Sequence, residues 1–210
     1  MQEILPNFYI PDSDSGGWIT RHPTVEGLPG YAYDQIKTAV KACKDRKSLA
    51  IDGGAHVGTW TVHLAKAFNA VIAFEPVPKT FACLVKNTEG YDNVTSYNAA
   101  LHSSSGHIGM KAHTGKSIGW RVDDDPDIRV HCVSLDSFLT DDQRVDFIKL
   151  DLDGHEFEAV KGSKKILLRD KPVVVIEEKL GESSKAVQFL KDLGMLQIHS
   201  WKNDRLLVWK

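Results

Sequence analysis

Ala50-Ile51-Asp52-Gly53-Gly54-Ala55-His56-Val57-Gly58-Thr59 is a short apolar strand that runs into a glycine-rich turn and opens a helix. Glycine tolerates positive φ and puts no Cβ between the backbone and a ligand, so a ligand can approach such a turn closely. A helix starting near Gly58 aims free N–H groups at that ligand, which suits phosphate and carboxylate alike and leaves the ligand unnamed. Glu75 ends the next apolar segment, Ala70-Val71-Ile72-Ala73-Phe74. A carboxylate there accepts hydrogen bonds from vicinal ribose hydroxyls, the role of an acid about 20 residues past the turn in dinucleotide folds. Turn and acid together predict a nucleotide-type cofactor site.

Strand and helix patterns alternate around this pair. Ile36, Ala39, Val40 and Cys43 recur at helical spacing just before it, within a helix expected over 33–47. Strands are predicted near 48–52, 70–74 and 93–98, with helices near 58–68 and 77–88 between them. The alternation resumes with strand 145–151, helix 155–168, strand 172–177 and helix 182–193. It closes with strands 195–201 and 205–209 about the turn Lys202-Asn203-Asp204. Runs such as Val173-Val174-Val175-Ile176 are what strands buried on both faces look like, so the fold class is α/β, a mainly parallel sheet with helices on both faces. Ligands of such sheets bind at the carboxyl ends of the strands, which gathers the turn after Asp52, Glu75, Asn98-Ala99 and Asp151 on one rim.

The 210 residues fit a single domain, 1–210. Its first part, 1–32, is rich in Gly, Pro, Asp and Ser, lacks sustained periodicity and reads as a loop-like arm. Residues 106–133 break the alternation with Gly106, Gly109, Gly115 and Gly119, the turn Asp123-Asp124-Asp125-Pro126 and a strand over Ile128–Val133. They read as an inserted hairpin or loop. With 26 basic and 28 acidic residues the net charge is −2, and no basic stripe suited to phosphate backbones occurs, which argues against nucleic acid as a partner. The odd number of cysteines, Cys43, Cys83 and Cys132, without C-x-x-C spacing indicates neither a disulfide framework nor a cysteine zinc site, and fits a reducing, cytoplasmic setting. No stretch approaches the length of a membrane span, and the first residues lack the basic-then-apolar pattern of an export signal.

From Lys149 to Glu156 the chain reads Lys149-Leu150-Asp151-Leu152-Asp153-Gly154-His155-Glu156, and it continues through Glu158, Ala159, Val160, Lys161 and Gly162. With Ile51-Asp52-Gly53-Gly54-Ala55-His56-Val57-Gly58, Phe74-Glu75-Pro76, Asn98-Ala99-Ala100-Leu101 and Ser134-Leu135-Asp136, this order resembles the class I S-adenosylmethionine-dependent methyltransferases, and among them the FkbM-like group, over roughly 48–178. The resemblance implies a Rossmann-like seven-stranded methyltransferase sheet whose C-terminal antiparallel hairpin is the closing pair of strands. It further implies S-adenosylmethionine as cofactor, and O-methylation of a hydroxyl on a small metabolite or sugar. Asp52 with Gly53, Gly54, Ala55, His56, Gly58 and Thr59 would hold the methionine portion, Glu75 and Pro76 the ribose, Asn98 and Ala99 the adenine edge. Asp151 would stand beside the methionine amino group or the acceptor. FkbM-like chains often carry glutamate where this one has Asp153, and a small or aromatic residue where it has His155.

A hydroxyl acceptor gives up its proton as the new bond forms, and a carboxylate or imidazole is the usual recipient. Asp151, Asp153, His155 and Glu156 are the expected catalytic residues. Each also has a structural reading: strand-end acids and a helix's first turn favour negative charge whether or not they bind anything, and Asn98 ending a strand can serve local backbone alone. Asp151, Asp153, Glu177 and Glu178 are oxygen donors without spacing that sets a coordination shell, and the scattered histidines form no ligand pattern, so no metal is expected. Trp18, Trp60 and Trp120 are either core and rim filler or walls of an acceptor pocket; Arg121 or Arg129 meets either an anionic acceptor or only the nearby acids. Two rival readings remain. A nicotinamide-dependent dehydrogenase is suggested by Gly53-Gly54-Ala55-His56-Val57-Gly58, with Ala55 in place of the middle glycine. A non-catalytic module that binds S-adenosylmethionine is the other.

Overall fold

The computed structural model describes residues 1–113, 119–179 and 182–210. In chain order it contains β1 (Gln2–Leu5), β2 (Phe8–Ile10), α1 (Gly17–Thr20), α2 (Tyr33–Ala42), β3 (Leu49–Gly53), α3 (Thr61–Ala67), β4 (Ala70–Phe74), α4 (Pro78–Thr88) and β5 (Val94–Tyr97). There follow β6 (Ala100–Leu101), β7 (Gly106–Ala112), β8 (Trp120–Val122), β9 (Ile128–Val133), α5 (Leu135–Phe138), β10 (Val145–Leu150), α6 (Glu156–Lys161) and α7 (Lys164–Asp170). The last elements are β11 (Val173–Glu177), α8 (Glu182–Asp192), β12 (Met195–Ser200) and β13 (Asp204–Trp209).

The central sheet is α/β and mixed, with strand order β5-β4-β3-β10-β11-β13-β12. From β5 to β11 the neighbours are parallel, while β13 runs antiparallel to both β11 and β12. The order departs from the strict dinucleotide-binding sheet, because the closing hairpin slots the last strand between the fifth and sixth in sequence. Alternate side chains of the same strands build two cores, as a period of two requires. Ile51, Ile148, Leu150, Val174 and Ile176 pack under α5 to α8, whereas Ala50, Phe147, Val173 and Val175 pack under α2 and α3. Helices therefore cover both faces. No helix among the described residues is long and apolar enough to cross a membrane.

Three local expectations are corrected. The arm is not loop-like throughout: β1 and β2 form a hairpin, and Phe8, Ile10 and Ile19 pack with Val57, Val62 and Cys83. Asn87 fastens it, donating to the carbonyls of Tyr9 (2.8 Å) and Val57 (2.7 Å) and accepting from the Tyr9 amide at 2.6 Å. The insertion is more than a hairpin, since β7, β8 and β9 join β6 in a four-stranded sheet ordered β6-β9-β7-β8 around Ala100, Met110, Val130 and Cys132. Gly115 of the glycine set lies outside the described residues. The helix expected over 155–168 is two, α6 and α7. A Cβ on Gly162 would lie 2.0 Å from the His102 carbonyl, so the chain breaks its helix where a distant loop presses against it.

Candidate active site

The carboxyl ends of the parallel strands open onto two adjoining cavities. One, of about 410 Å³, runs from Gly54, Glu75, Pro76, Val77, Ala99 and Leu101 across to Ile108, Met110, Trp120 and Arg121 of the second sheet, with Asp153, His155, Glu177 and Lys179 along its far wall. The other, of about 310 Å³, lies between the arm residues Trp18, Arg21 and Tyr31, Gln35 of α2, the turn residues Ala55, Thr59 and Trp60, and Lys149 and Asp204 on the sheet. Gly54, His56 and Asp151 line both.

Glu75 is buried at the first cavity. Its Oε2 accepts the His56 amide at 3.0 Å and its Oε1 the Val77 amide at 2.8 Å, so one carboxylate joins the glycine turn to the end of β4. Burial pushes its pKa up to about 7 against the restraint of those two amide donors. Each oxygen keeps a lone pair for a ligand.

Asp52 sits beneath the turn, with Thr61 Oγ1 donating to its Oδ2 at 2.7 Å and Lys149 Nζ 3.3 Å from its Oδ1. The same ammonium donates to the Gly54 carbonyl at 2.7 Å. Burial alone would lower Lys149, but the Asp52 and Asp151 carboxylates outweigh it and hold its pKa above the ordinary value. Gly54 has φ of +70°, and a Cβ there would lie 1.9 Å from the Asp151 carbonyl. The glycine is thus demanded by the protein's own backbone, where β3 and β10 meet.

The loop after β10 is organised by the fully buried Glu156, whose Oε1 accepts the amides of Leu152 (2.8 Å) and Gly154 (3.3 Å). Asp153, in the left-handed region at φ of 52°, accepts Lys179 Nζ at 3.0 Å on one oxygen and the Gly119 amide at 3.2 Å on the other. Lys179 also meets Glu177 at 2.8 Å. This chain of contacts fastens the second sheet to the rim. Burial, followed by the neighbouring His102, lowers the His155 pKa to about 4, which keeps its imidazole neutral at physiological pH. Its Nε2 is buried with no hydrogen-bond partner among the described residues. Asp151 is exposed at the junction of the two cavities.

The sequence matches the methyltransferase FkbM domain over residues 52–196, which takes in the turn, Glu75, the second sheet and the loop after β10. The chain belongs to the FkbM methyltransferase domain family. A curated relative, hexuronic acid methyltransferase AglP of Haloferax volcanii, is 28% identical over 158 residues, covering 73% of this chain and 65% of its own length. The FkbM methyltransferase structure from Methylobacillus flagellatus aligns with a TM-score of 0.54 at 16% identity, over 78% of this chain and 44% of that one. Magnesium protoporphyrin IX methyltransferase from Synechocystis, solved with S-adenosylmethionine bound, aligns at 0.53 and 14% identity over 85% of this chain and 78% of that one. At such identities the structural likeness speaks to fold. The chain spans about two thirds of the curated relative and under half of the Methylobacillus protein.

Within this FkbM domain the expected site residues divide by what they touch. Gly54, Ala55, His56, Thr59, Glu75, Pro76, Ala99, Asp151, Asp153 and His155 line one cavity or both. Asp52 and Gly53 do not: the first is consumed by Thr61 and Lys149, and the second is packed against Leu101 and Leu150. Gly58 lies behind the turn, facing Leu84. Asn98 is placed away from the cavities, its amide donating to the carbonyls of Glu75 (2.8 Å) and Pro76 (2.9 Å), so it shapes the strand end. Glu156 is buried beneath the loop whose amides it accepts and lines neither cavity. Trp18, Trp60 and Trp120 all reach a cavity wall, as does Arg121, while Arg129 does not. Lys149 had a sequence signal, a lone lysine in the otherwise apolar end of β10, and Arg21, Tyr31, Gln35, Asp204 and Lys179 had none.

Proposed function

We propose that this chain is an S-adenosylmethionine-dependent O-methyltransferase whose acceptor is a hydroxyl on a sugar or similar small molecule, with residues 1–210 working as one catalytic unit in a reducing, cytoplasmic setting. Glu75 carries the reading: a buried carboxylate, tied by backbone amides to the glycine turn, that faces a cavity of about 410 Å³ with lone pairs to spare. That is the chemistry a ribose diol asks for, and the apolar Pro76, Val77, Ala99 and Leu101 beside it suit a flat purine. Gly54, Ala55, His56 and Thr59 would cradle the amino-acid end. The name of the curated relative, a methyltransferase of hexuronic acid, favours a sugar acceptor.

When bound, S-adenosylmethionine supplies an activated methyl group, so the protein's task is mainly positioning. The arm and the second sheet wall the two cavities. Asp151, exposed where both meet, takes the hydroxyl proton as the acceptor oxygen forms its new bond. Asp153 sets the rim through Lys179 and Gly119, and the neutral His155 lines the far wall.

The test is a melting experiment with S-adenosylhomocysteine and with NADH. At one hundred times its Kd the former should stabilise the protein by about 2.7 kcal/mol, and NADH should do nothing. Stabilisation by NADH alone would move the reading to a dehydrogenase, and binding without methyl transfer to any hydroxylated acceptor would leave a non-catalytic module.

A further inference from the structure

Besides Ala55 and Thr59, which the cofactor's amino-acid end would use, the smaller cavity holds side chains that the cofactor reading leaves unassigned. Trp18 and Tyr31 meet edge to face at 4.9 Å, with Trp18 oriented by its Nε1 donating to Asp14 at 3.3 Å. The same cavity is lined by Gln35, Asp204 and Asp151. Arg21 lines the same cavity, and no carboxylate pairs with its guanidinium among the described residues. Two aromatic faces, an amide, two carboxylates and an open guanidinium around about 310 Å³ match one ligand chemistry well. A pyranose has an apolar C–H face for stacking and hydroxyls for carboxylate and amide acceptors. A sugar carboxylate gives Arg21 the planar, bidentate partner it lacks. Burial, with Asp151 and Asp204 after it, raises the Tyr31 pKa, so its phenol stays a donor.

We infer that this second cavity, built by the N-terminal arm, is the acceptor subsite and that Arg21 selects a carboxylate-bearing sugar. The inference rests on the methyltransferase reading for its partition of the site: Glu75 and its apolar neighbours face the larger cavity, and the acceptor enters from the other side of Asp151. Two other cations compete: Lys149 lines the same cavity but is engaged by Asp52 and the Gly54 carbonyl, and Arg121 stands on β8 beside Ile108, Met110, Trp120 and Val122, along the wall of the apolar slot.

The experiment is a titration of D-glucuronate and D-glucose, followed by tryptophan fluorescence, into protein saturated with S-adenosylhomocysteine and into protein without it. Glucuronate should bind at least about tenfold more tightly than glucose, the effect of one charge-assisted pair. Arg21→Gln should bring the two sugars within about threefold of each other, while the Kd for S-adenosylhomocysteine stays within about twofold. Equal binding of the two sugars by the unaltered protein would overturn the inference. So would loss of the preference in Arg121→Gln with its retention in Arg21→Gln. A tenfold loss of S-adenosylhomocysteine affinity in Arg21→Gln would instead give the guanidinium to the cofactor's own carboxylate and equally refute the assignment. If S-adenosylhomocysteine does not bind at all, the methyltransferase reading fails by itself, and the titration without it still reports whether Arg21 holds a uronate.

Discussion

Replacing Glu75 with glutamine separates what this side chain does for the fold from what it does for a ligand. The carboxylate is 5% exposed and its pKa stands near 7 against an ordinary value of 4.5, a difference equivalent to about 3 kcal/mol of unfavourable burial once it is ionised. A raised carboxylate favours the folded state fully below its unfolded pKa, and that contribution disappears as pH rises through the folded value. The unliganded protein should therefore lose stability between about pH 4.5 and pH 7 from this group, and Glu75→Gln should remove that part of the slope. At pH 8 the variant escapes the burial penalty but turns an N–H₂ toward either the His56 or the Val77 amide, leaving a buried donor unmet at a cost of about 1–3 kcal/mol. The two effects nearly cancel, so urea denaturation at pH 8 should place the variant within about 2 kcal/mol of the parent. Binding has no such compensation: a hydrogen bond to a charged acceptor contributes about 1.5–3 kcal/mol, and losing one from a ribose hydroxyl should weaken S-adenosylhomocysteine by about 10- to 100-fold. In the parent, affinity should climb as pH passes 7 and the carboxylate ionises. Calorimetry at pH 6 and pH 8 reads both effects, and an unchanged Kd in a folded Glu75→Gln protein would refute the placement of the ribose.

Asp52→Ala leaves the Lys149 ammonium buried without its carboxylate and should cost about 3–5 kcal/mol in urea denaturation, with Lys149→Met in the same background recovering part of the loss. Gly54→Ala forces a methyl to within 1.9 Å of the Asp151 carbonyl at positive φ and should destabilise by more than about 2 kcal/mol; a variant as stable as the parent would mean that β3 and β10 are not so closely seated. Asp153→Ala removes the contacts to Lys179 and the Gly119 amide together while Lys179 keeps Glu177, so hydrogen exchange at Gly119 and over Trp120–Val122 should quicken by about tenfold or more while the amides of β10 stay protected. Asp151→Asn should lower kcat by about 10²-fold or more with little change in melting temperature, and a His155→Gln variant with unchanged turnover would take His155 out of the chemistry.

Much of the central sheet was legible because each strand carries its own signal. Val173–Ile176 is apolar on both faces, Phe147–Leu150 is so apart from Lys149, and the helices between them show the complementary periodicity, so alternation, parallel pairing and the closing hairpin follow from short stretches of chain. The turn after β3 and Glu75 at the end of β4 were legible for the same reason, since a parallel sheet brings all its carboxyl ends to one edge. The interruption between α6 and α7 was not, because its cause is the His102 carbonyl some sixty residues away. Nor was the hairpin of the arm, whose anchor is Asn87 on a helix far along the sequence.

Sequence by itself settled the strands and helices of the central sheet and the motif residues that follow its strands, since burial periodicity and turn chemistry are local properties. Tertiary structure alone decided how each polar group there is used: Asp52 turned inward to Lys149, Asn98 tied to strand-end carbonyls, Glu156 folded beneath its loop, and Glu75 and Asp151 left facing cavities. It also brought Trp18, Arg21 and Tyr31 of the arm to the far side of Asp151. A carboxylate's role depends on which donors reach it, and those donors come from segments that no local pattern places beside it.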